Sequence, residues 1–323
     1  SSLHYMVKNK KYNLKISPLH NIGWQPIFST INQNVTDASN ITQSKNKSIS
    51  NNQISIDLWA IYYIQLALDT LSKEKVIDLY KPLYKKWLKD QANQWADLFD
   101  GKNIKHVGRK PKKGIGSSHE PLIHRCGKEL INILQGSINP IDLLFPGGSF
   151  KETESLYSNS PGITEMYDRF TQTILQVISK KQGLKKQKLR ILEIGAGTGG
   201  LTQYIVKRIA PFVETYIFSD ISTLFLEKAE ENFSEYSFMK YMRLDIEEGV
   251  ETHSDIVLNQ FDFVFAANVL HATKDMSKTL NNVHALLKPN GALIMLEGLK
   301  HRPWLDITFG LTKGWWLFKD QYR

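Results

Sequence analysis

From Lys188 onward the chain alternates short apolar runs with amphipathic stretches. "LRILEIG", "ETYIFSD", "SFMKYMRLD", "FDFVFAA" and "GALIMLE" carry few polar interruptions, the pattern of strands covered on both faces. Between them "TGGLTQYIVKRIA", "STLFLEKAEENF" and "SKTLNNVHALLK" read as helices. Strands and helices in alternation predict parallel strands joined by crossover helices, which is a doubly wound, mostly parallel Rossmann-like α/β sheet. Ligands of such sheets bind beyond the carboxyl ends of the strands. Gly195, Asp220, Asp245, Asn268 and Glu297 all fall there.

The region before Lys188 reads as helical. Ile54, Leu58, Ile61, Tyr62, Leu68 and Leu71 recur near a 3.6-residue period, and the pattern continues to about Leu98. Pro82 is expected to begin or kink a helix. "EPLIHRCGKELINILQG" reads as one helix, with Pro121 in its first turn and Gly136 past its end, and "SPGITEMYDRFTQTILQVISKKQG" as another. Residues 30–53 are nearly all polar, rich in Asn and Ser, and read as a flexible connection. The expected division is therefore a linker and flexible segment over 1–53, a helical lid or substrate region over 54–187, and the sheet-bearing core over 188–323.

Composition narrows the class. Hydrophobic residues make up 41% of the 323 residues, enough for a sizeable core. No apolar run approaches the ~18 to 20 residues of a membrane span, and the N-terminus has no secretory pattern. It reads as the start of an excised segment. Cys126 is the only cysteine, which fits a reducing, cytoplasmic setting. Lys plus Arg exceed Asp plus Glu by 41 − 32 = 9. That excess fits an acidic partner or a merely solvated surface equally well. The basic clusters are not interleaved with aromatics, which speaks against nucleic acid. No set of residues has metal-ligand spacing.

"LEIGAGTGG" joins a strand to a helix. Its glycines permit a tight turn and close approach of backbone to a ligand. Gly195, Gly197 and Gly200 also satisfy the dinucleotide pattern G-x-G-x-x-G, so the loop alone is ambiguous. Three carboxylates discriminate. Glu193, inside the strand, disfavours a pyrophosphate and suits a cation. Asp220, at the end of the second strand, is placed to accept from ribose hydroxyls, or else to cap the next helix. Asp245, at the end of the third, is placed to accept from an adenine amino group. A cationic centre, a ribose and an adenine without a pyrophosphate describe S-adenosylmethionine.

"ILEIGAGTGG", "FSDIS", "LDIEEG" and "FDFVFAANVLHAT" resemble class I S-adenosylmethionine-dependent methyltransferases, and more narrowly the carbon-methylating domains embedded in modular polyketide synthases. The likeness extends upstream through "HRCGKELINILQGSINPIDLLFPGGS" and downstream through "WLDITFGLTKGWWLFKD", over roughly residues 54–323. It implies Glu193, Gly195, Gly197, Asp220, Asp245 and Asn268 as cofactor-site residues, with S-adenosylhomocysteine as the product. It also implies a β-ketoacyl thioester substrate on the phosphopantetheine arm of an acyl carrier protein, with neighbouring synthase domains. Members of the family usually continue past the tryptophan-rich block into a helix and an antiparallel strand pair. This sequence stops at Arg323: either it is incomplete or that edge of the sheet is absent, and in the second case the fifth core strand is expected to have an exposed edge.

His271 and Glu297 lie at the ends of adjacent strands, so their side chains are expected to meet. A carboxylate that holds an imidazole sets its tautomer and raises its basicity, which makes a general-base pair. In the family that the sequence resembles, the histidine of "HAT" and the glutamate of "LE" have this role. The alternatives are an O-methyltransferase acting on a β-hydroxyl, which can use a similar pair, and a non-catalytic scaffold domain of the synthase. Tyr62, Tyr63, Tyr157, Trp304, Trp315 and Trp316 are candidates for a cavity wall, or else core.

Overall fold

The computed structural model describes residues 2–8, 24–26, 42–93, 95, 107–111, 119–149, 163–182, 188–249, 257–297, 302–316 and 319. Tyr157 and residues 30–41 lie outside this set. Among the described residues seven strands form one sheet: β1 (Ser2–Lys8), β2 (Trp24–Pro26), β3 (Leu189–Ile194), β4 (Val213–Asp220), β5 (Met239–Arg243), β6 (Phe261–Ala267) and β7 (Leu287–Glu297). Their order is β2-β1-β7-β6-β3-β4-β5. The five strands from β3 to β7 are mutually parallel. The expected doubly wound, mostly parallel Rossmann-like sheet is therefore present. The chain order reverses between β3 and β6, and the carboxyl ends of that pair open the crevice where such folds bind ligands.

The sheet is apolar on both faces because successive strand residues point to opposite sides. In β6, Phe263 and Phe265 pack in one cluster with Ile191, Tyr216 and Phe218. Val264 and Ala266 pack in the other with Leu192, Ile194 and Leu293. Helix Gly200–Ile209 covers the first face through Leu201, Ile205 and Ile209, and helix Met276–Leu286 covers the second through Leu280, Val283 and Leu286. Asp275 caps the latter by accepting from the Lys278 amide at 2.9 Å.

The chain separates into two compact units. One comprises residues 1–35, 163–299 and 317–323, the other 36–162 and 300–316. This differs from the division expected at Lys188. Helix Ile163–Gln182 belongs with the sheet, because Ile163, Tyr167, Phe170, Ile174 and Ile178 form one stripe against it. The Phe170 ring meets that of Phe265 edge-on at 5.4 Å. Residues 302–316 instead join the helical unit, where Ile307 and Leu311 are buried among Ile61, Trp87 and Ile133. Asp306 accepts from the Trp87 indole there at 2.9 Å.

The described parts of residues 1–53 also differ from the reading of that segment as linker. β1 pairs antiparallel with β7, from Ser2 opposite Glu297 to Val7 opposite Ala292. The β7 edge, expected to be exposed if the usual strand pair is absent, is thus paired with β1, which satisfies backbone groups that an open edge leaves unmatched. Helix Thr42–Thr70 begins well before Ile54. Extending a nucleated helix costs little per residue, so a polar tract continues one that an amphipathic segment has started. "EPLIHRCGKELINILQG" is two helices, Glu120–Lys128 and Leu130–Leu134, broken at Glu129. Lys81–Ala92 does begin a new helix, with Pro82 in its first turn.

Candidate active site

The glycine loop leaves β3 with Gly195, Gly197 and Gly199 at φ of 56°, 56° and 77°. This left-handed region is open to glycine at little cost. The loop is pinned to the end of β4: the Ala196 amide donates to the Ser219 carbonyl at 2.9 Å, and the Gly197 amide to Asp220 Oδ2 at 2.9 Å. Asp220 Oδ1 accepts from the Ser222 amide at 2.9 Å. Burial raises the Asp220 carboxyl above its ordinary pKa, and the backbone amides oppose that rise. Each Asp220 oxygen can still accept a further bond from a hydroxyl.

Glu193 sits beneath the loop. Its side chain is fully enclosed, and one oxygen accepts from the Thr202 hydroxyl and from the Tyr216 phenol, the latter at 2.6 Å. Burial pushes its pKa up to about 7 against these two bonds. The carboxylate ties β3 to β4 and to the helix after the loop, so its bonds lie in the floor of the crevice. Neither Thr202 nor Tyr216 was singled out from the sequence. The available signal was a phenol inside the apolar run "ETYIFSD", where a buried hydroxyl requires a partner.

β6 ends at Ala267, and Asn268 turns the chain at φ 56°, a conformation asparagine tolerates better than most residues. Its amide donates to the Leu296 carbonyl at 2.7 Å. A single 3₁₀ turn, Leu270–Ala272, then carries His271. Glu297, at the end of the neighbouring β7, builds that turn. Its Oε1 accepts from the amides of Val269 and Leu270 at 3.0 and 2.8 Å, and its Oε2 lies 2.7 Å from His271 Nδ1. The imidazole is 28% exposed and the carboxylate 10%, so the base faces outward from a buried anchor.

Val269 links the two halves of the crevice. A Cβ added at Gly195 would stand 2.7 Å from both Val269 methyl carbons, so the glycine loop and the histidine turn are in contact at a position only glycine fits. Asp245 stands farther out. Its Oδ1 accepts from the Glu247 amide at 2.9 Å, and it lines a cavity of about 390 Å³ with Glu247, Lys274, Lys278 and Thr279. His271 is not among that cavity's lining residues. The structure thus joins Gly195, Gly197, Asp220, Asn268, His271 and Glu297 along one rim, with Glu193 below it and Asp245 to the side. Among the described residues no cluster of His, Cys, Asp and Glu could hold a metal, and no helix is long and apolar enough to cross a membrane.

The fold is that of class I methyltransferases, and residues 192–293 match the methyltransferase domain family. The chain carries a methyltransferase domain homologous to the carbon methyltransferase domains of polyketide synthases. It is similar to the crystal structure of the CurJ carbon methyltransferase, at 27% identity and a TM-score of 0.68, over 87% of this chain and 85% of that one. It is also similar to the trans-methyltransferase CalH, solved in complex with SAH, at 25% identity and a TM-score of 0.62, over 84% and 78%. A non-reducing polyketide synthase, ausA of Penicillium brasilianum, is 34% identical over 210 residues. These make up 63% of this chain and only 8% of that synthase.

Proposed function

We propose that the chain methylates the α-carbon of a β-ketoacyl thioester carried on the phosphopantetheine arm of an acyl carrier protein, within a polyketide synthase. The observation that carries this reading is the 2.7 Å contact of His271 Nδ1 with Glu297, on a turn in contact with the glycine loop. The rim fits S-adenosylmethionine: the Asp220 oxygens would accept from ribose hydroxyls, the glycine loop would admit the ligand closely, and Asp245 would accept from the adenine amino group. The chemistry it would supply there is a methyl group activated on a sulfonium, with S-adenosylhomocysteine as the product.

The chain's own residues make that carbon nucleophilic. With Nδ1–H donated to Glu297, the imidazole lone pair lies on Nε2. Nε2 takes one α-proton, which two flanking carbonyls have made acidic, and the C–H electrons pass into the enolate. Glu297 stabilises the resulting imidazolium, much as a buried carboxylate holds the histidine of other base pairs. Glu193 keeps the loop in place from beneath, through its bonds with Thr202 and Tyr216.

Product mass from two defined carrier-bound substrates tests this reading. The β-ketoacyl chain gains one methyl on carbon and the β-hydroxyacyl chain gains none. Methylation of the hydroxyl alone replaces the reading with O-methylation, and methylation of neither leaves a scaffold domain.

A further inference from the structure

Helix Lys81–Ala92, in the helical unit, has two chemically distinct faces. Leu83, Tyr84 and Trp87 are buried, and Trp87 and Tyr84 are both anchored, to Asp306 and to the Leu71 carbonyl. The helix is therefore held at several points. Half a turn away stand Pro82, Lys85, Leu88 and Lys89, all exposed, and Leu88 leaves 42% of its surface in water. The lysines flanking this face are neutralised. Lys81 pairs with Asp78 at 2.6 Å and Lys86 with Asp90 at 2.9 Å. Lys85 and Lys89, one turn apart, form no ion pair among the described residues.

Two exposed ammonium groups flanking an exposed leucine on an anchored helix make a self-contained contact face. An anchored helix loses little freedom on binding, an apolar centre contributes area, and charges around it select the partner's sign. Its complement is a helix bearing carboxylates around an apolar side chain. We infer that the Lys85–Leu88–Lys89 face docks an acidic helical partner protein, and, resting on the reaction proposed above, that this partner is the carrier domain that delivers the acyl chain. The chain's excess of nine positive charges works in the same direction at long range.

The test compares the same β-ketoacyl group on an acidic carrier domain and on a small cysteamine thioester. Lys85→Glu with Lys89→Glu lowers kcat/KM for the carrier substrate by about tenfold or more, mainly through KM, and flattens its salt dependence. The small thioester is turned over as by wild type. Leu88→Ala weakens carrier use without changing the salt slope. A carrier value within about twofold of wild type, or an equal fall on both substrates, overturns the docking face. Should wild type methylate neither substrate, the proposed reaction fails by itself. Fluorescence anisotropy with labelled carrier domain then decides the face separately: the charge reversal weakens binding if the inference holds, and equal affinity removes it. Vesicles containing phosphatidylserine are the remaining control. Lysine-dependent vesicle binding with unchanged carrier affinity would make the face a membrane contact and overturn the protein partner.

Discussion

Oε2 of Glu297 lies 2.7 Å from Nδ1 of His271, while Oε1 of the same carboxylate accepts from the amides of Val269 and Leu270. One residue thus orients the imidazole and builds the turn that presents it. Glu297→Gln breaks this arrangement in a specific way. An amide oxygen retained on the two backbone N–H groups turns the NH₂ toward Nδ1, which forces the proton onto Nε2 and removes the base. Methyl transfer is expected to fall toward that of His271→Ala, about 10² to 10⁴-fold below wild type. The double variant should be little worse than His271→Ala, since residues acting as one unit are not additive. Single-turnover rates at saturating cofactor check this.

Asp220→Ala is expected to weaken S-adenosylmethionine binding by ~1.5 to 3 kcal/mol, the contribution of hydrogen bonds to a charged group. Part of the loss comes from the Gly197 amide, which donates to Asp220 and would lose its partner. Calorimetry with wild type and variant reads it directly, and equal affinities would remove Asp220 from the ribose site.

Gly195→Ala places a methyl 2.7 Å from the Val269 side chain at a φ of 56°. Cofactor affinity and turnover should fall together, because the clash separates the glycine loop from the turn that carries His271. Val269→Ala added to Gly195→Ala relieves the clash but not the backbone strain, so partial recovery is expected. No recovery in the double variant would mean that strain at residue 195 is the whole effect.

Much of this was legible in the sequence because it rests on local patterns. The five core strands, the glycine loop and the meeting of His271 with Glu297 follow from apolar runs and strand ends. Residues that depend on distant neighbours were less legible. A carboxylate at Glu193 has the same appearance in sequence whether it faces a ligand or, as here, two hydroxyls inside the fold. "SLHYMVK" is too short to predict its pairing with β7 almost three hundred residues on, since register depends on the edge that receives it. Helix Ile163–Gln182 carries an amphipathic pattern that does not say which core it covers.

Glu193 should leave a signature in the pH dependence of stability. Burial raises its pKa to about 7, above the ordinary value of 4.5. Between those values the folded chain holds a proton that the unfolded chain has lost, so this group's contribution to stability falls as pH rises through that window. Glu193→Gln cannot ionise and should remove the slope. The variant's melting temperature relative to wild type is expected to rise between pH 5 and pH 7.5, by about 1 to 2 °C for each kcal/mol of shift. A constant difference across that range would contradict a neutral buried carboxyl.

Hydrogen exchange at the α-carbon tests the central claim most directly. Carrier-bound β-ketoacyl substrate is incubated in D₂O with the S-adenosylhomocysteine complex, in which no methyl can move, and deuterium uptake above the spontaneous rate is followed by mass spectrometry. Wild type should accelerate the exchange. His271→Ala should lower that enzyme-dependent exchange by about 10² to 10⁴-fold, in parallel with its loss of methyl transfer. Exchange by His271→Ala at the wild-type rate would contradict the account and place the base elsewhere.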